Sequence, residues 1–198
     1  MTADQLFLIL QKDQPYYVQS GGGVTFSGGE CMLYPDFLFE VMELCKNSGI
    51  HVAVESALNV PYANLEKVLP VCDLWLVDFK HPDNVEHKQY TGCGNERIQE
   101  NLAKLCKSGS NILVRCPMIP GVNDIPETVR QLAEAVYALG APHVELLKYN
   151  PLGKSKYNRL GLPFTPFAED PQSDEQMRIL CGQMNATVQK CDFVFFTP

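Results

Sequence analysis

Polar and ionisable residues stand at the carboxyl ends of five successive strands predicted in this 198-residue chain. The carboxyl ends of strands are where ligand sites in α/β sheets and barrels lie. The candidate cofactor-binding residues in these positions are Gly28, Gly29, Glu30, Glu55, Asp78, Lys80, Arg115 and Asn150. We expect no residue of the chain to act on its own as a catalytic group or as a metal ligand.

The residue types in this set suit a ligand that joins an amino-acid zwitterion to a nucleoside. Backbone carbonyls in Gly28-Gly29 and the carboxylates of Glu55 and Asp78 can accept hydrogen bonds from an ammonium group. Lys80 can meet a carboxylate as a compact positive charge. Asn150 can form hydrogen bonds with ribose hydroxyls.

Structural roles for the same side chains stay open at this point. Asp78 and Lys80 can pair with each other. Arg115 can bracket a cofactor or hold an acidic neighbour such as Glu55.

The stretch 21–30, Gly-Gly-Gly-Val-Thr-Phe-Ser-Gly-Gly-Glu, organises the predicted site. Val24 to Phe26 form a short apolar run bounded by glycines, which predicts a buried strand. Consecutive glycines after a strand let the backbone turn sharply and let a ligand approach the peptide groups closely. In the third predicted strand, alternation places Asp78 and Lys80 on the face opposite Trp75, Val77 and Phe79, which should pack on helices.

Strands and helices alternate along the chain, which predicts parallel βαβ units. The predicted strands are 24–26, 50–56, 74–80, 111–116, 143–149 and 193–196. The predicted helices are 3–12, 35–46, 59–69, 84–89, 95–109, 124–139 and 173–189. We expect Pro15 to break the first helix, Asn95 and Asp124 to cap later ones, and 151–171 to be irregular. Right-handed crossovers allow a barrel, a partial barrel or an open sheet, in one domain spanning 1–198.

Composition excludes several classes of protein. A formal net charge of −7 and a pI of about 5.1 argue against a nucleic-acid partner. No apolar run approaches the roughly 20 residues of a membrane span, and the amino end lacks a signal-peptide pattern. We therefore expect a soluble, cytoplasmic protein without a membrane partner.

Eight cysteines are present, but their spacing is not that of a metal site. The closest pairs are Cys106/Cys116 and Cys181/Cys191, so the sequence contains no CxxC or CxxxCxxC. Zinc and iron–sulfur sites usually show closely spaced thiolates. Reduced thiols with mainly structural roles are the simplest interpretation.

Several motifs together resemble the activating enzymes of glycyl radical enzymes, whose type member activates pyruvate formate-lyase. The resemblance runs from residue 1 to about Gly161 and rests on 21–30, Asp78-Phe79-Lys80-His81, Thr91-Gly92-Cys93-Gly94-Asn95, 115–124 and 145–153. It implies an α/β fold of the radical SAM type, a partial (β/α) barrel with a parallel sheet and helices on the outside. In that family, S-adenosylmethionine and a 4Fe-4S cluster generate a 5′-deoxyadenosyl radical, which takes a hydrogen atom from a glycine of a partner enzyme.

The resemblance also implies roles for residues at the matching motif positions. Gly28-Gly29 and Glu30 would contact the methionine amino end, with support from Glu55 and Asp78. Lys80 would bind the methionine carboxylate. Arg115 would line the site, and Asn150 would contact the ribose. Glu55 and Asn150 depart from the commonest family residues, which are Asp and His.

The family's CxxxCxxC loop is not in this sequence, and three thiolates on one loop have no substitute among the other cysteines. The resemblance thus predicts a fragment that lacks the first barrel strand, holds no 4Fe-4S cluster and is inactive alone. Its exposed strand edge would favour dimerisation. Two other functions stay open: a cluster-free barrel lyase that uses Lys80 as an imine-forming nucleophile beside Asp78, and a non-catalytic docking module.

Overall fold

A computed structural model describes residues 1–151 and 154–195 of the chain. The strands are β1 (Gly23–Phe26), β2 (His51–Ser56), β3 (Leu74–Asp78), β4 (Ile112–Pro117), β5 (His143–Leu147) and β6 (Asp192–Val194). The helices are α1 (Ala3–Leu10), α2 (Gln14–Ser20), α3 (Pro35–Asn47), α4 (Tyr62–Val68), α5 (Asn84–Thr91), α6 (Glu96–Lys107), α7 (Pro126–Ala138), α8 (Lys154–Arg159) and α9 (Asp174–Thr187). Short 3₁₀ turns occupy Gln11–Asp13, Cys31–Leu33 and Leu69–Val71.

The strands form a parallel α/β sheet in the order β1-β2-β3-β4-β5-β6. This order places β1 at an edge, as the sequence predicts. Contacts between Cα atoms divide the chain into two compact units: unit 1 comprises Met1–Asp78 and Glu96–Leu113, and unit 2 comprises Phe79–Asn95 and Val114–Pro198. The single domain expected from sequence stays a prediction.

In unit 1, β2 lies between β1 and β3 in parallel register, with Phe26 opposite Val54 and Val54 opposite Trp75. Burial alternates along β3 as predicted, because Trp75 and Val77 are buried whereas Leu76 and Asp78 are only half-buried. Four residues of α3 are buried, Leu38, Val41, Met42 and Cys45. Complete burial of one large aliphatic side chain contributes about 1.5–3 kcal/mol.

In unit 2, β5 lies between β4 and β6, again in parallel register. Val114 and Cys116 of β4 are buried, whereas Arg115 and Pro117 are half-buried. One face of each strand therefore packs into the interior of the unit, and the alternate side chains stay partly accessible.

Two predictions about helix caps are wrong, and one about a helix break is right only in part. The first helix ends before Pro15, as predicted, but Pro15 lies in the first turn of α2, where its missing N–H is not needed. Asp124 does not cap α7: Ile125 is the N-cap, and the Asp124 carboxylate accepts from Gly121 N and Gln172 Nε2 instead.

Asn95 does not cap α6 through its side-chain oxygen. Its Nδ2 donates to the carbonyls of His81 and Pro82, and its buried Oδ1 accepts no hydrogen bond from the residues that the structure describes. In the region predicted to be irregular, α8 adds a short helix. The predicted last strand extends to residue 196, which lies outside the described residues.

No helix in ranges 1–151 and 154–195 combines the length and apolar character needed to span a membrane.

Candidate cofactor site

The turn after β1 leaves open space beside Gly28 and Gly29. Both residues are exposed. The backbone φ of Gly28 is 124°, a value that residues other than glycine rarely adopt. A Cβ built on either residue would meet no heavy atom of the described residues within 4 Å. The described part of the chain thus gives no steric reason for a glycine at position 29, so a ligand can use the space beside it.

The Glu30 carboxylate ties this turn to the end of β2. One oxygen accepts from Met32 N at 3.2 Å and from Ser56 Oγ at 2.9 Å, and the other accepts from Ala57 N at 3.2 Å. An ionised carboxylate has roughly four acceptor positions, so these donors use most of its capacity. Glu30 therefore fixes the turn that carries Gly28-Gly29.

The segment after β2 adopts a strained conformation that its neighbours hold in place. Leu58 is fully buried with a φ of 58°, unusual for a branched residue. Its N–H donates to Ser56 Oγ at 2.9 Å. Asn101 Nδ2 donates to the carbonyls of Leu58 and Val60, each at 2.8 Å. Ser56 thus couples the Leu58 turn to Glu30.

Two predicted acidic site residues, Glu55 and Asp78, lie on the same face of neighbouring strands in unit 1. Glu55 is opposite Leu76 in the parallel register, and Asp78 follows Leu76 by two residues. Both carboxylates are half-buried, so they are partly shielded from water and still accessible. The structure confirms the alternation that sequence predicts for Asp78.

Cys31 beside this turn has the properties of a structural thiol. Its Sγ donates weakly to the carbonyls of Phe26 at 3.5 Å and Glu55 at 3.6 Å. Burial, together with the charge of Glu30, raises the pKa of the Cys31 thiol to about 11. A neutral thiol is a poor metal ligand, because the thiolate is the form that binds metals.

In unit 2, a buried amide fixes the chain at Lys80. Asn123 is only 1% exposed, and its Nδ2 donates at 2.8 Å to the carbonyls of Lys80 and Pro117. Its Oδ1 accepts from Ile119 N at 2.6 Å. Asn123 therefore joins the end of the β3 segment to the loop that follows β4.

A second buried amide, Gln172, performs the same task near Asn150. Its Oε1 accepts from Tyr149 N at 2.9 Å, and its Nε2 donates to the carbonyl of Met118 at 3.0 Å and to Asp124 Oδ2 at 3.1 Å. Asn150 follows Tyr149 directly and is exposed. The backbone before Asn150 is thus fixed while its side chain is accessible.

Arg115 lies on the half-buried face of β4, and Glu145 of β5 lies opposite it in register. Sequence reasoning paired Arg115 with other residues and did not single out Glu145. Neighbouring positions on adjacent parallel strands share a face, so Glu145 belongs on the same face as Arg115.

Unit 2 also contains a cavity of about 370 Å³. Lys80 contributes to its wall, together with mainly apolar side chains such as Ile119, Val122 and Phe167. Among the described residues that line the cavity, Lys80 alone belongs to the predicted site.

The described residues contain no group of three or more His, Cys, Asp or Glu side chains arranged to hold a metal ion. A 4Fe-4S cluster usually needs several cysteine thiolates. The described residues therefore do not fit a 4Fe-4S cluster.

The Radical SAM superfamily pattern matches residues 9–135 of the chain. The chain belongs to that superfamily. Within it, the chain is 40% identical over 167 residues to the (2S)-3-sulfopropanediol dehydratase activating enzyme of Klebsiella oxytoca, covering 83% of this chain and 53% of that protein. It is 39% identical over 165 residues to the pyruvate formate-lyase-activating enzyme of Clostridium pasteurianum, covering 83% of this chain and 69% of that enzyme. These similarities place it in the family of glycyl-radical-enzyme activating enzymes.

A solved structure shows the same radical SAM fold. A domain of pyruvate-formate lyase-activating enzyme from Bacteroides vulgatus matches with a TM-score of 0.72 at 25% identity, covering 89% of this chain and 99% of that chain. The predicted fold class, an α/β partial barrel of the radical SAM type, is confirmed. The chain spans 53% and 69% of the lengths of the two relatives above.

Sequence reasoning missed the polar residues that hold the site backbone. Ser56 lies at the end of the second predicted strand, and Asn123 lies in the motif 115–124. No spacing or residue pattern in the sequence predicts the hydrogen bonds that these side chains form. Asn101 lies 43 residues along the chain from Leu58, to which it donates, and Gln172 lies 54 residues from Met118.

Proposed function

We propose that this radical SAM chain binds S-adenosylmethionine for the activation of a glycyl radical enzyme of the pyruvate formate-lyase type. The observation that carries the proposal is the turn at Gly28-Gly29, which is open although no residue in ranges 1–151 and 154–195 comes close enough to require glycine at position 29. Such a turn lets a ligand reach the backbone carbonyls. A soluble, cytoplasmic location belongs to the same proposal.

Different predicted residues would bind the two charged groups at the methionine end of the ligand. The carbonyls of Gly28-Gly29 would accept hydrogen bonds from the ammonium group, and the half-buried Glu55 and Asp78 would add negative charge there. Glu30 would contact the same end while it holds the turn. Lys80 would pair with the carboxylate.

The remaining groups would position the nucleoside end. Arg115 would line the site from β4, and Asn150 would form hydrogen bonds with the ribose hydroxyls. S-adenosylmethionine held there would supply the 5′-carbon that takes a hydrogen atom from the partner's glycine, once one electron from an external 4Fe-4S cluster has cleaved its sulfonium C–S bond. This chain would contribute binding and orientation, whereas the 4Fe-4S cluster would come from outside the residues present here. We therefore propose that the chain is inactive alone.

Isothermal titration of the 198-residue chain with S-adenosylmethionine tests the proposal. We expect saturable binding that Lys80→Met weakens at least tenfold, whereas Lys88→Met, which removes an exposed lysine from α5, has no effect. Absence of saturable binding, or equal affinity of Lys80→Met and the unsubstituted chain, would contradict the proposal.

Gly29→Ala provides a sharper variant because the fold has room for the new methyl group. We expect its thermal unfolding midpoint to stay unchanged while its affinity for S-adenosylmethionine falls about tenfold, or about 1.4 kcal/mol. Unchanged affinity would show that the space beside Gly29 is not used by the ligand.

The lyase alternative has one observation in its favour, since Lys80 lines a mainly apolar cavity. A lysine amine that borders such a cavity can attack the carbonyl carbon of a substrate held there and form an imine. Borohydride reduction in the presence of a small aldehyde or ketone would trap that imine on Lys80. We expect no trapping.

A non-catalytic docking module would behave differently. It would retain partner binding after Lys80→Ala without any affinity for S-adenosylmethionine.

A further inference from the structure

The cavity in unit 2 is bounded by segments that follow β3, β4 and β5. Lys80 and His81 follow β3, Ile119 and Val122 follow β4, and Phe167 lies in the long connection after β5. At about 370 Å³ it lies toward the small end of ligand pockets, which span roughly 300–1,000 Å³. A helix, about 10–12 Å across with its side chains, would not fit.

Aromatic rings form part of the wall and are accessible. The rings of Tyr90 and Phe167 pack edge to face with centroids 6.0 Å apart, and Phe167 packs in the same way on Tyr149 at 6.4 Å. Tyr90 is 43% exposed and Phe167 is 54% exposed. Partly exposed aromatic rings beside a cavity are typical of surfaces that become buried when a ligand binds.

The polar part of the wall is fixed by hydrogen bonds within unit 2. The buried Asn123 is tied to three backbone groups, as described above. His87 Nδ1 lies 2.8 Å from the Cys93 carbonyl oxygen and 3.1 Å from Thr91 Oγ1. His81 Nδ1 accepts from Asp83 N at 3.1 Å. The cavity is therefore formed before any ligand binds, which reduces the free energy needed to order it.

The charge of the wall selects among ligands. Among the described residues that line the cavity, none is an Asp or Glu, and Lys80 supplies a positive charge. A lysine or arginine side chain would lose its hydration against the apolar part of this wall, and none of the described lining residues is a carboxylate that could pair with it. The methionine end of S-adenosylmethionine carries an ammonium, a carboxylate and a sulfonium, and apolar walls would leave these groups without water.

We infer that the cavity receives a large, uncharged apolar side chain of the partner polypeptide, from a residue next to the target glycine. The inference rests on the proposed function and adds a specificity pocket to it. Because Lys80 belongs both to this wall and to the proposed carboxylate contact, a side chain in the cavity would hold its neighbouring glycine close to the cofactor.

Fluorescence anisotropy with the full 198-residue chain tests the inference. The probes are fluorescein-labelled heptapeptides with a central glycine, alanine at the other positions, and Phe, Leu, Glu or Lys next to the glycine. Each is titrated with and without S-adenosylmethionine. We expect the Phe and Leu peptides to bind at least tenfold more tightly than the Lys peptide.

Val122→Phe fills the cavity, and Ile125→Phe adds similar bulk at an exposed position outside the wall. We expect Val122→Phe to weaken binding of the Phe peptide at least tenfold and to leave affinity for S-adenosylmethionine within twofold. Ile125→Phe should change neither affinity. Tyr90→Ala, which opens the wall, replaces Val122→Phe if circular dichroism shows that the latter does not fold.

The outcomes separate the two proposals. Equal binding of the Lys and Phe peptides, or undiminished binding of the Phe peptide by Val122→Phe, would overturn the inference. A loss of affinity for S-adenosylmethionine in Val122→Phe would assign the cavity to the cofactor and also overturn it. If S-adenosylmethionine fails to bind the unsubstituted chain, the proposed function fails, whereas peptide selectivity without it would still support an apolar side-chain pocket.

Discussion

The two units differ in the charge of their candidate residues and in the chemistry that holds them. Unit 1 carries the acidic side chains Glu30, Glu55 and Asp78, whereas unit 2 carries Lys80, Arg115 and the neutral Asn150. Taken separately, the candidate residues of unit 1 would favour an ammonium group, and those of unit 2 would favour a carboxylate.

The side chains that fix the backbone beside candidate residues also differ, and the buried amide of Asn101 in unit 1 fixes Leu58 and Val60, which are not candidate residues. In unit 1 a carboxylate, Glu30, accepts from three donors and so needs negative charge. In unit 2 the buried amides of Asn123 and Gln172 both donate and accept. An amide can join carbonyls and N–H groups at once, which a carboxylate cannot do.

Of the substitutions that test this difference between the units, Asn123→Asp should reduce the free energy of unfolding most. The new carboxylate would face the carbonyls of Lys80 and Pro117 in a buried site, so we expect a loss of about 3–5 kcal/mol in unfolding free energy at pH 7. Urea denaturation measures it, and the exposed Asn158→Asp is the matched control. The loss should shrink at acidic pH, because a protonated carboxyl can donate. A change below 0.5 kcal/mol would show that Asn123 is not needed to hold the Lys80 backbone.

Glu30→Gln is the reciprocal exchange in unit 1 and should have a smaller effect. One acceptor oxygen becomes an amide donor that faces N–H or O–H groups, so we expect a loss of about 1–2 kcal/mol. The exposed Glu40→Gln on α3 controls for the lost charge. If the two variants are equally stable in urea, the carboxylate does not hold the turn after β1.

Removing one ion pair from each unit should change stability least. In unit 1, burial by itself raises the pKa of Asp73, but Lys46 at 2.5 Å and the Val52 N–H at 2.8 Å lower it below its usual value. The stabilisation is therefore present above the usual pKa of about 3.9 and is lost as pH falls through the lowered value. Because the pair is partly exposed, Asp73→Asn should cost about 0.5–1 kcal/mol at pH 7.

In unit 2, a hydrogen bond from Lys148 likewise lowers the pKa of Asp174. That carboxylate is exposed, so water and salt screen its charge. We expect Asp174→Asn to change the urea midpoint less than Asp73→Asn at pH 7. The difference should shrink as pH falls through the lowered pKa values, because protonation of the two carboxylates removes both ion pairs. A larger effect at Asp174 would reverse the ranking.

Local signals in the sequence predicted much of the fold. Alternation in β3 placed Trp75 and Val77 inside, and Pro35 at the start of α3 gave a correct helix boundary. Cap assignments failed at Asn95 and Asp124 because both side chains bind more distant or adjoining loop groups instead of the helix. A residue type that favours caps has several other partners available once the chain is folded.

The sequence by itself determined the strand and helix order, the motif residues and the signs of charge they carry, because these depend on residue type and short-range spacing. Only the tertiary structure decided that Glu30 holds a turn, that Asn123 and Gln172 fix the ends of strands, and that Lys80 borders an apolar cavity. Those roles depend on contacts between residues up to 54 positions apart, and burial makes their hydrogen bonds necessary only after the chain has folded.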